Sequence, residues 1–303
     1  MTLKDTRPHL ALTLAFVALW AAEEALTALV LGRYGLTQVV WLRFVMHVLM
    51  LLLVWGWRDP AALWRTRRPL LQLARAGLMV GVPVFWGLGM RAGIEPATQM
   101  STFWLAPLMI LALGHVALGE RVARAVWLAT AVASIGVFTL TGPHEVPRPH
   151  LLVLPLGMAL CFSGFVVMTR ALREERVWTN LFYVGLGVVV MLSPLMLGRW
   201  TPPTGRDWLI HLGIALLGLG SLWALERLAA RRPVSRSAPL VYLQIPFAVA
   251  IGWNLEEYPS LLRVAAGLGA IGAAAIFVWT HERRRAGRLA VDTGLGSLED
   301  TRP

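Results

Sequence analysis

Apolar residues run in ten long blocks along this chain, each separated from the next by a few polar or basic residues. The blocks lie at about 10–31, 36–57, 70–90, 97–118, 122–141, 151–170, 177–197, 207–229, 237–255 and 262–281. A helix needs roughly 20 apolar residues to cross a hydrocarbon core of about 30 Å, and each block approaches that length. Backbone in lipid must satisfy its own hydrogen bonds, so such blocks fold as helices. A membrane β-barrel would alternate polarity over segments of about ten residues, a pattern missing here. The expectation is an all-α integral membrane protein with ten transmembrane helices.

Composition agrees. Of 303 residues, 57% are hydrophobic and 15% charged, against about 45–50% and about 25% in soluble domains. The net charge of +11 would suggest nucleic acid as a partner for a soluble protein. Here the basic residues cluster between apolar blocks, and topology explains them without nucleic acid. With the N-terminus cytoplasmic, nineteen Lys and Arg residues fall in inside segments and six in outside loops. Cytoplasmic loops carry such an excess, so both termini are expected inside an inner or plasma membrane. A missed span would swap the later loops and spoil this bias. Residues 1–9 then form a cytoplasmic N-terminus, preceding an uncleaved first span rather than a signal peptide. Residues 282–303 read as a basic membrane-surface segment running into a disordered cytoplasmic tail. Cys161 is the one cysteine, so neither an internal disulfide nor a cysteine metal site is expected.

Two distant stretches resemble each other. Ala106-Pro107-Leu108 lies in the fourth block, followed by Gly119-Glu120-Arg121 and Gly136. Ile245-Pro246-Phe247 lies in the ninth, followed by Glu256, Glu257, Gly267 and Gly272. Two repeats of five spans, 10–141 and 151–281, must enter the membrane in opposite senses, because five is odd. Inverted repeats characterise transporters, with substrate sites near the midplane where the halves meet.

On these residues the chain resembles the EamA-type branch of the drug/metabolite transporter superfamily. The resemblance also uses Arg43-Phe44, Leu118-Gly119-Glu120-Arg121, Ala238-Pro239-Leu240-Val241-Tyr242 and Glu257-Tyr258-Pro259, in order over residues 10–281. It implies ten helices in two inverted five-helix repeats, and a carrier of small organic molecules. The chain departs from the family in its first span. Where the family often reads Trp-Gly-Ser/Thr-Asn-aromatic, this sequence reads Trp20-Ala21-Ala22-Glu23-Glu24.

Those two acids are the chemistry that stands out. Counted from the turn near Arg33 and Tyr34, Glu24 and Arg43 lie at similar depth, and His47 follows Arg43 by one turn on the same face. A charge at the bilayer centre costs on the order of 2.5–3.5 kcal/mol on insertion scales. These groups should therefore pair or line a wet cavity. One reading is a structural Glu24–Arg43 pair locking the first two helices. Adjacent helix positions point about 100° apart, so one arginine need not serve both acids. The acid left over, Glu23 or Glu24, is the candidate for binding a cationic substrate or a proton. His47 is either a proton relay or a histidine satisfied by a neighbour. Trp20, Trp86, Gln99, Thr102, Trp104, Tyr242 and Gln244 are further cavity candidates, since aromatic faces hold rings or cations. Pro107 and Pro246, at comparable places in the two halves, are hinge candidates. Glu120 and Glu257 read as helix-start residues. Gly77-x-x-x-Gly81 and Gly89-x-x-x-Gly93 read as packing motifs.

The sequence lacks a P-loop and a His-Glu-x-x-His motif, so neither ATP hydrolysis nor zinc catalysis is expected, and no cofactor or metal is implied. The expectation is a secondary transporter working by alternating access on an amino-acid-like or amine metabolite, cationic in the finer reading and coupled to protons. Efflux is favoured. Uptake of a zwitterionic or cationic metabolite, a non-transporting membrane sensor and an integral-membrane enzyme are the alternatives.

Overall fold

A computed structural model describes residues 3–141, 148–231, 233, 238–251 and 260–292, with the backbone alone for 3–8 and 282–292. Arg232, Arg236, Glu256 and the Glu257-Tyr258-Pro259 motif lie outside the described residues. Every regular element among those described is helical. The helices are α1 (Leu3–Leu31), α2 (Leu36–Leu51), α3 (Ala61–Trp64), α4 (Pro69–Arg91), α5 (Pro96–Phe103) and α6 (Ala106–Leu118). They continue with α7 (Arg124–Thr141), α8 (Val153–Ala171), α9 (Val177–Met196), α10 (Gly205–Arg231), α11 (Gln244–Ala250) and α12 (Leu261–Asp292).

Nine stretches among the described residues are long and apolar enough to span a membrane. Large apolar side chains such as Leu53, Leu70, Val116, Leu128 and Ile276 cover the outside of the bundle, as a lipid-facing surface requires. This is a multi-pass membrane protein. The ninth expected block differs. Its described part is a 3-10 turn, Ala238–Leu243, leading into the seven residues of α11. At about 2.0 and about 1.5 Å per residue these cover roughly 22 Å, short of the ~30 Å core. The backbone of α12 runs on to Asp292, past the expected edge of that span at 281.

Proline and glycine set most of the punctuation. Pro69 and Pro96 open α4 and α5, where a missing N–H is harmless. Gly93 and Gly119 stop α4 and α6 at φ +78° and +65°, values that favour glycine. The next N–H then reaches back, Ile94 to the Gly89 carbonyl at 3.0 Å and Glu120 to the Gly114 carbonyl at 3.1 Å. The fourth block is broken at Trp104–Leu105, just before Pro107, whose ring cannot continue the helical ladder. The Trp104 carbonyl, at the break, accepts from the Tyr242 hydroxyl at 2.8 Å, and the Ala106 carbonyl, in the first turn of α6, accepts from Ser163 Oγ at 3.0 Å. A π turn at Leu52–Gly56 extends α2.

The principal packing pairs are α1 with α10, α7 with α12, α4 with α8, α2 with α9, α4 with α9, α6 with α8, α1 with α11, and α2 with α10. Glycines let the tightest pairs approach. Gly213 and Gly220 of α10 receive Leu26 and Leu19 of α1, while Gly157 and Gly164 of α8 receive Phe85 and Leu78 of α4. The two GxxxG motifs contribute only half their glycines: Gly81 meets Cys161 and Gly89 meets Gln99, whereas Gly77 and Gly93 face open space. Gly136 of α7 and Gly267 of α12 meet backbone to backbone, and a Cβ at 267 would stand 2.6 Å from the Gly136 oxygen. Gly267→Ala is therefore expected to lower stability by about 1–3 kcal/mol through overpacking. Gly269→Ala, with nothing within 4 Å, should not lower it and gains up to about 1 kcal/mol of helix propensity. Thermal unfolding in detergent compares the two.

Candidate functional site

Alternation of the helices leaves two ends to the bundle. One carries the α1–α2 turn with Tyr34, and the other carries α3 and the start of α4. A cavity of about 260 Å³ lies between α1, α2, α4, α5, α8 and α10. It reaches Leu31 and Leu36 at the Tyr34 end and descends to Phe16, Met79, Phe165 and Leu225. On α1 alone that depth is fifteen residues, or about 22 Å.

Helical periodicity explains which side chains line it. Phe16, Trp20, Glu23, Glu24, Thr27 and Leu31 form one stripe of α1 at spacings of three and four. Leu36, Val40, Arg43 and Phe44 do the same on α2. The opposing wall is apolar and aromatic: Trp86 on α4, Phe103 on α5, and Phe162 and Phe165 on α8. Trp20 packs against Phe162 at 5.2 Å between ring centroids and against Trp104 at 5.9 Å. Offset and edge-on aromatic contacts of this kind hold a rigid wall.

Arg43 meets Glu23, not Glu24. Its Nη1 donates to Glu23 Oε1 at 2.9 Å, and Thr27 Oγ1 donates to the same oxygen at 3.2 Å. The guanidinium lies over the Phe44 ring and against Gly218 of α10, where a Cβ would leave it no room. Glu24 instead accepts from Gln244 Nε2 at 2.6 Å, a neutral donor. The structural pair read between Glu24 and Arg43 is thus corrected to Glu23 and Arg43. The two acids share the stripe but point different ways, and only Glu23 turns far enough toward α2. Glu23 is 4% exposed while Glu24 is half-buried at the cavity wall.

Of the other candidates, Trp20 and Trp86 line the cavity. Gln244 stands behind it, reaching it through Glu24. His47, Gln99, Thr102, Trp104 and Tyr242 are not among the lining residues. His47 is buried, and its Nε2 lies 2.8 Å from the Ala215 carbonyl of α10. Gln99 donates to the Ile94 carbonyl and Thr102 to that of Thr98, both local contacts. Tyr242 bonds Trp104 and Ser134, tying the 3-10 turn to the break in the fourth block and to α7. Pro107 and Pro246 sit in the first turns of α6 and α11, immediately after irregular backbone. Glu120 lies 3.6 Å from Arg170.

Two polar clusters were not anticipated. At the Tyr34 end, Asp207 accepts from Arg33 at 2.7 Å and from Tyr34 at 2.6 Å, while Gln38 donates to the Thr201 carbonyl at 2.6 Å. Nearer the other end, Arg75, Glu226, Asn180 and Gln72 form a buried cluster. Arg75 and Glu226 were visible as charges inside apolar blocks, at similar depth from the same end. Among the described residues no three His, Cys, Asp or Glu side chains gather as metal ligands.

No family model matches the chain. It is 25% identical to a riboflavin transporter of Vibrio cholerae over 55% of this chain and 58% of that protein. A riboflavin transporter of Rhizobium johnstonii is 25% identical over 74% of both chains. An S-adenosylmethionine uptake transporter of Rickettsia prowazekii is 23% identical over 72% of this chain and 75% of its own. A pseudopaline exporter of Pseudomonas aeruginosa is 26% identical over 54% of this chain and 59% of its own. The matches thus span from 58% to 75% of these relatives' lengths. All four are named as transporters, none as an enzyme. A protein of known crystal structure superposes with a TM-score of 0.78 over 92% of this chain and 98% of its own, at 16% identity. At that identity the likeness speaks for the fold alone.

Removing one partner of a buried ion pair costs about 3–5 kcal/mol, because the other charge is stranded. Arg43→Gln is expected to destabilise the protein within that range. Adding Glu23→Gln should recover at least half of the loss, whereas adding Glu24→Gln should recover little. Denaturant unfolding in detergent measures all three.

Proposed function

We propose that this chain is a secondary carrier of the EamA-type branch of the drug/metabolite transporter superfamily. It moves an amine or amino-acid-like molecule by alternating access, with the substrate's positive end on Glu24 and its apolar body against Trp20, Trp86, Phe103 and Phe162. One observation carries the reading: a deep aromatic cavity holds two adjacent carboxylates, and its arginine is engaged with only one of them. Glu24, held by the neutral donors Gln244 and Trp20, is the group a substrate cation or a proton would neutralise.

Ten helices in two inverted five-helix repeats are part of this reading, and the packing supports them. Let α1, α2, α4, α5–α6 and α7 correspond in order to α8, α9, α10, the 3-10 turn with α11, and α12. Exchanging counterparts turns the α1–α10 pair into α8–α4, α4–α9 into α10–α2, and α6–α8 into α11–α1. The α2–α9 and α7–α12 pairs map onto themselves. The two-repeat architecture explains why these pairs recur. The arginine bias supports a cytoplasmic location for the end that carries α3 and both termini, so the cavity faces outward. Pro107 and Pro246, each beside irregular backbone, are the hinges of the two halves.

Export is the favoured direction, as in the named pseudopaline exporter. Uptake is the second reading, favoured by the relative named for S-adenosylmethionine uptake. A thermal-shift screen of amines, amino acids and nucleosides on the purified protein should find a cationic ligand bearing a ring. Flux of that ligand into proteoliposomes, with and without a pH gradient, then decides direction and coupling. Glu24→Gln should abolish flux, by at least about 100-fold if its charge interaction is worth the ~3 kcal/mol of a mid-membrane charge, while the protein still expresses and folds. Undiminished flux in Glu24→Gln would remove the proposed site.

A further inference from the structure

The buried cluster beneath the cavity has a position that its packing alone does not explain. Arg75 Nη1 lies 2.6 Å from Glu226 Oε1, with side-chain exposures of 0% and 4%. Arg75 Nη2 donates to the Asn180 carbonyl at 3.0 Å, and Asn180 Nδ2 donates to Glu226 Oε2 at 2.8 Å. Gln72 Nε2 in turn donates to Asn180 Oδ1 at 2.6 Å. The cluster lies directly under the cavity floor. Arg75 is one helical turn below Met79, its guanidinium lies 5.0 Å from the centroid of the Phe165 ring, and Glu226 follows Leu225; Met79, Phe165 and Leu225 all line the cavity.

The cluster also spans a seam. On one side α1 and α10 pack closely, and on the other α4 packs closely with α8 and α9. The pair α4 and α10 is not among those in extensive contact, yet Arg75 and Glu226 join them. Arg170 at the end of α8 reinforces the same seam, with Nη1 donating to the Ala229 carbonyl of α10 at 2.6 Å. At the Tyr34 end, the Asp207 cluster ties the α1–α2 turn to α10, which belong to one side of that seam. That cluster leaves the cavity unbarred there. Trp41 Nε1 also donates to Ser193 Oγ at 3.0 Å between α2 and α9 nearer that end, with neither residue lining the cavity; the buried ion pair across the seam lies below the cavity.

We propose that Arg75 and Glu226, with Asn180 as their clamp, are the bar that closes the α3 end of the cavity, and that they part when the cavity opens at that end. The assignment rests on the alternating-access reading, but its test needs no substrate. A Ser221→Cys variant on a Cys161→Ala background places the sole thiol at the cavity wall. Its labelling by a charged, membrane-impermeant maleimide is followed in sealed vesicles of each orientation. The double variant Arg75→Gln with Glu226→Gln leaves no lone buried charge, which favours folding over either single change. It should raise the labelling rate from the α3 end about tenfold, as a shift in a two-state equilibrium would, and lower the rate from the Tyr34 end. Asn180→Ala, which keeps the ion pair and removes its clamp, should give a smaller rise. Labelling of the folded double variant at the parent rate from both faces would overturn the proposal. Flux of a ligand decides the carrier reading separately, so the two can fail independently.

Discussion

Inside a bilayer no water is available to a polar group, and each one must find its partner in the protein. That constraint organises this molecule more than any apolar contact does. Lipid tails are as apolar as leucine, so no hydrophobic force draws one helix to another there. Association comes from close packing and from hydrogen bonds across helices. Both are visible: glycine seams between α1 and α10 and between α4 and α8, and polar knots where the chain had to bring charge inside. Even the break in the fourth block obeys the rule. The carbonyl that Trp104 loses from its ladder is met by the hydroxyl of a tyrosine 138 residues away.

The two kinds of contact have different mechanical consequences. Glycine packing is short-ranged and continuous, and it holds α10 against α1 along much of their length. The Arg75–Glu226 contact is directional and local. It is strong while its geometry holds, and water entering from one end could replace it group by group. A seam that must open and reclose is better served by the second kind, and a helix pair that must move as one body by the first. Close glycine contacts hold the α1–α10 and α4–α8 pairs, and the buried Arg75–Glu226 contact joins those two pairs.

Most of the fold could be read from the order of residues, because the bilayer reduces the problem to length and polarity. Nine of the ten expected blocks are helical stretches long and apolar enough to span among the described residues, the fourth of them interrupted at Trp104–Leu105. What escaped was local and non-repetitive: the π turn after Leu51, the 3-10 turn at Ala238–Leu243, and the interruption before Pro107. Proline marked the last of these without saying whether the helix would kink or stop. Within the site, the stripe of α1 was legible from spacing, and so were Trp20 and Trp86. Depth counting placed Arg43 level with Glu24, yet rotation about the helix decides which acid it meets, and that rotation depends on Gly218 of a distant helix leaving room. Gln99, Tyr242 and His47 looked like cavity residues because they are polar in apolar runs. Each is instead absorbed by a backbone carbonyl. Arg75 and Glu226 lie at similar depth but in distant blocks, and spacing along the chain does not say which of those helices meet.

Two adjacent acids and one arginine leave a cavity with an unequal balance of fixed charge. Arg43 and Glu23 neutralise each other. Glu24 has neutral partners, the Gln244 amide and the Trp20 indole. Whenever the cavity closes to water on both sides, an ionised Glu24 would be stranded at an energy on the order of 2.5–3.5 kcal/mol. In the proposed cycle, a closed state is therefore accessible when Glu24 carries a proton or faces a substrate cation, and is disfavoured when it has neither. Under the proposed carrier reading, such a rule favours exchange, in which one positive species leaves as another arrives. The neighbouring ion pair is what makes the rule strict, since it denies Glu24 the nearest protein charge that could have served in place of the cargo.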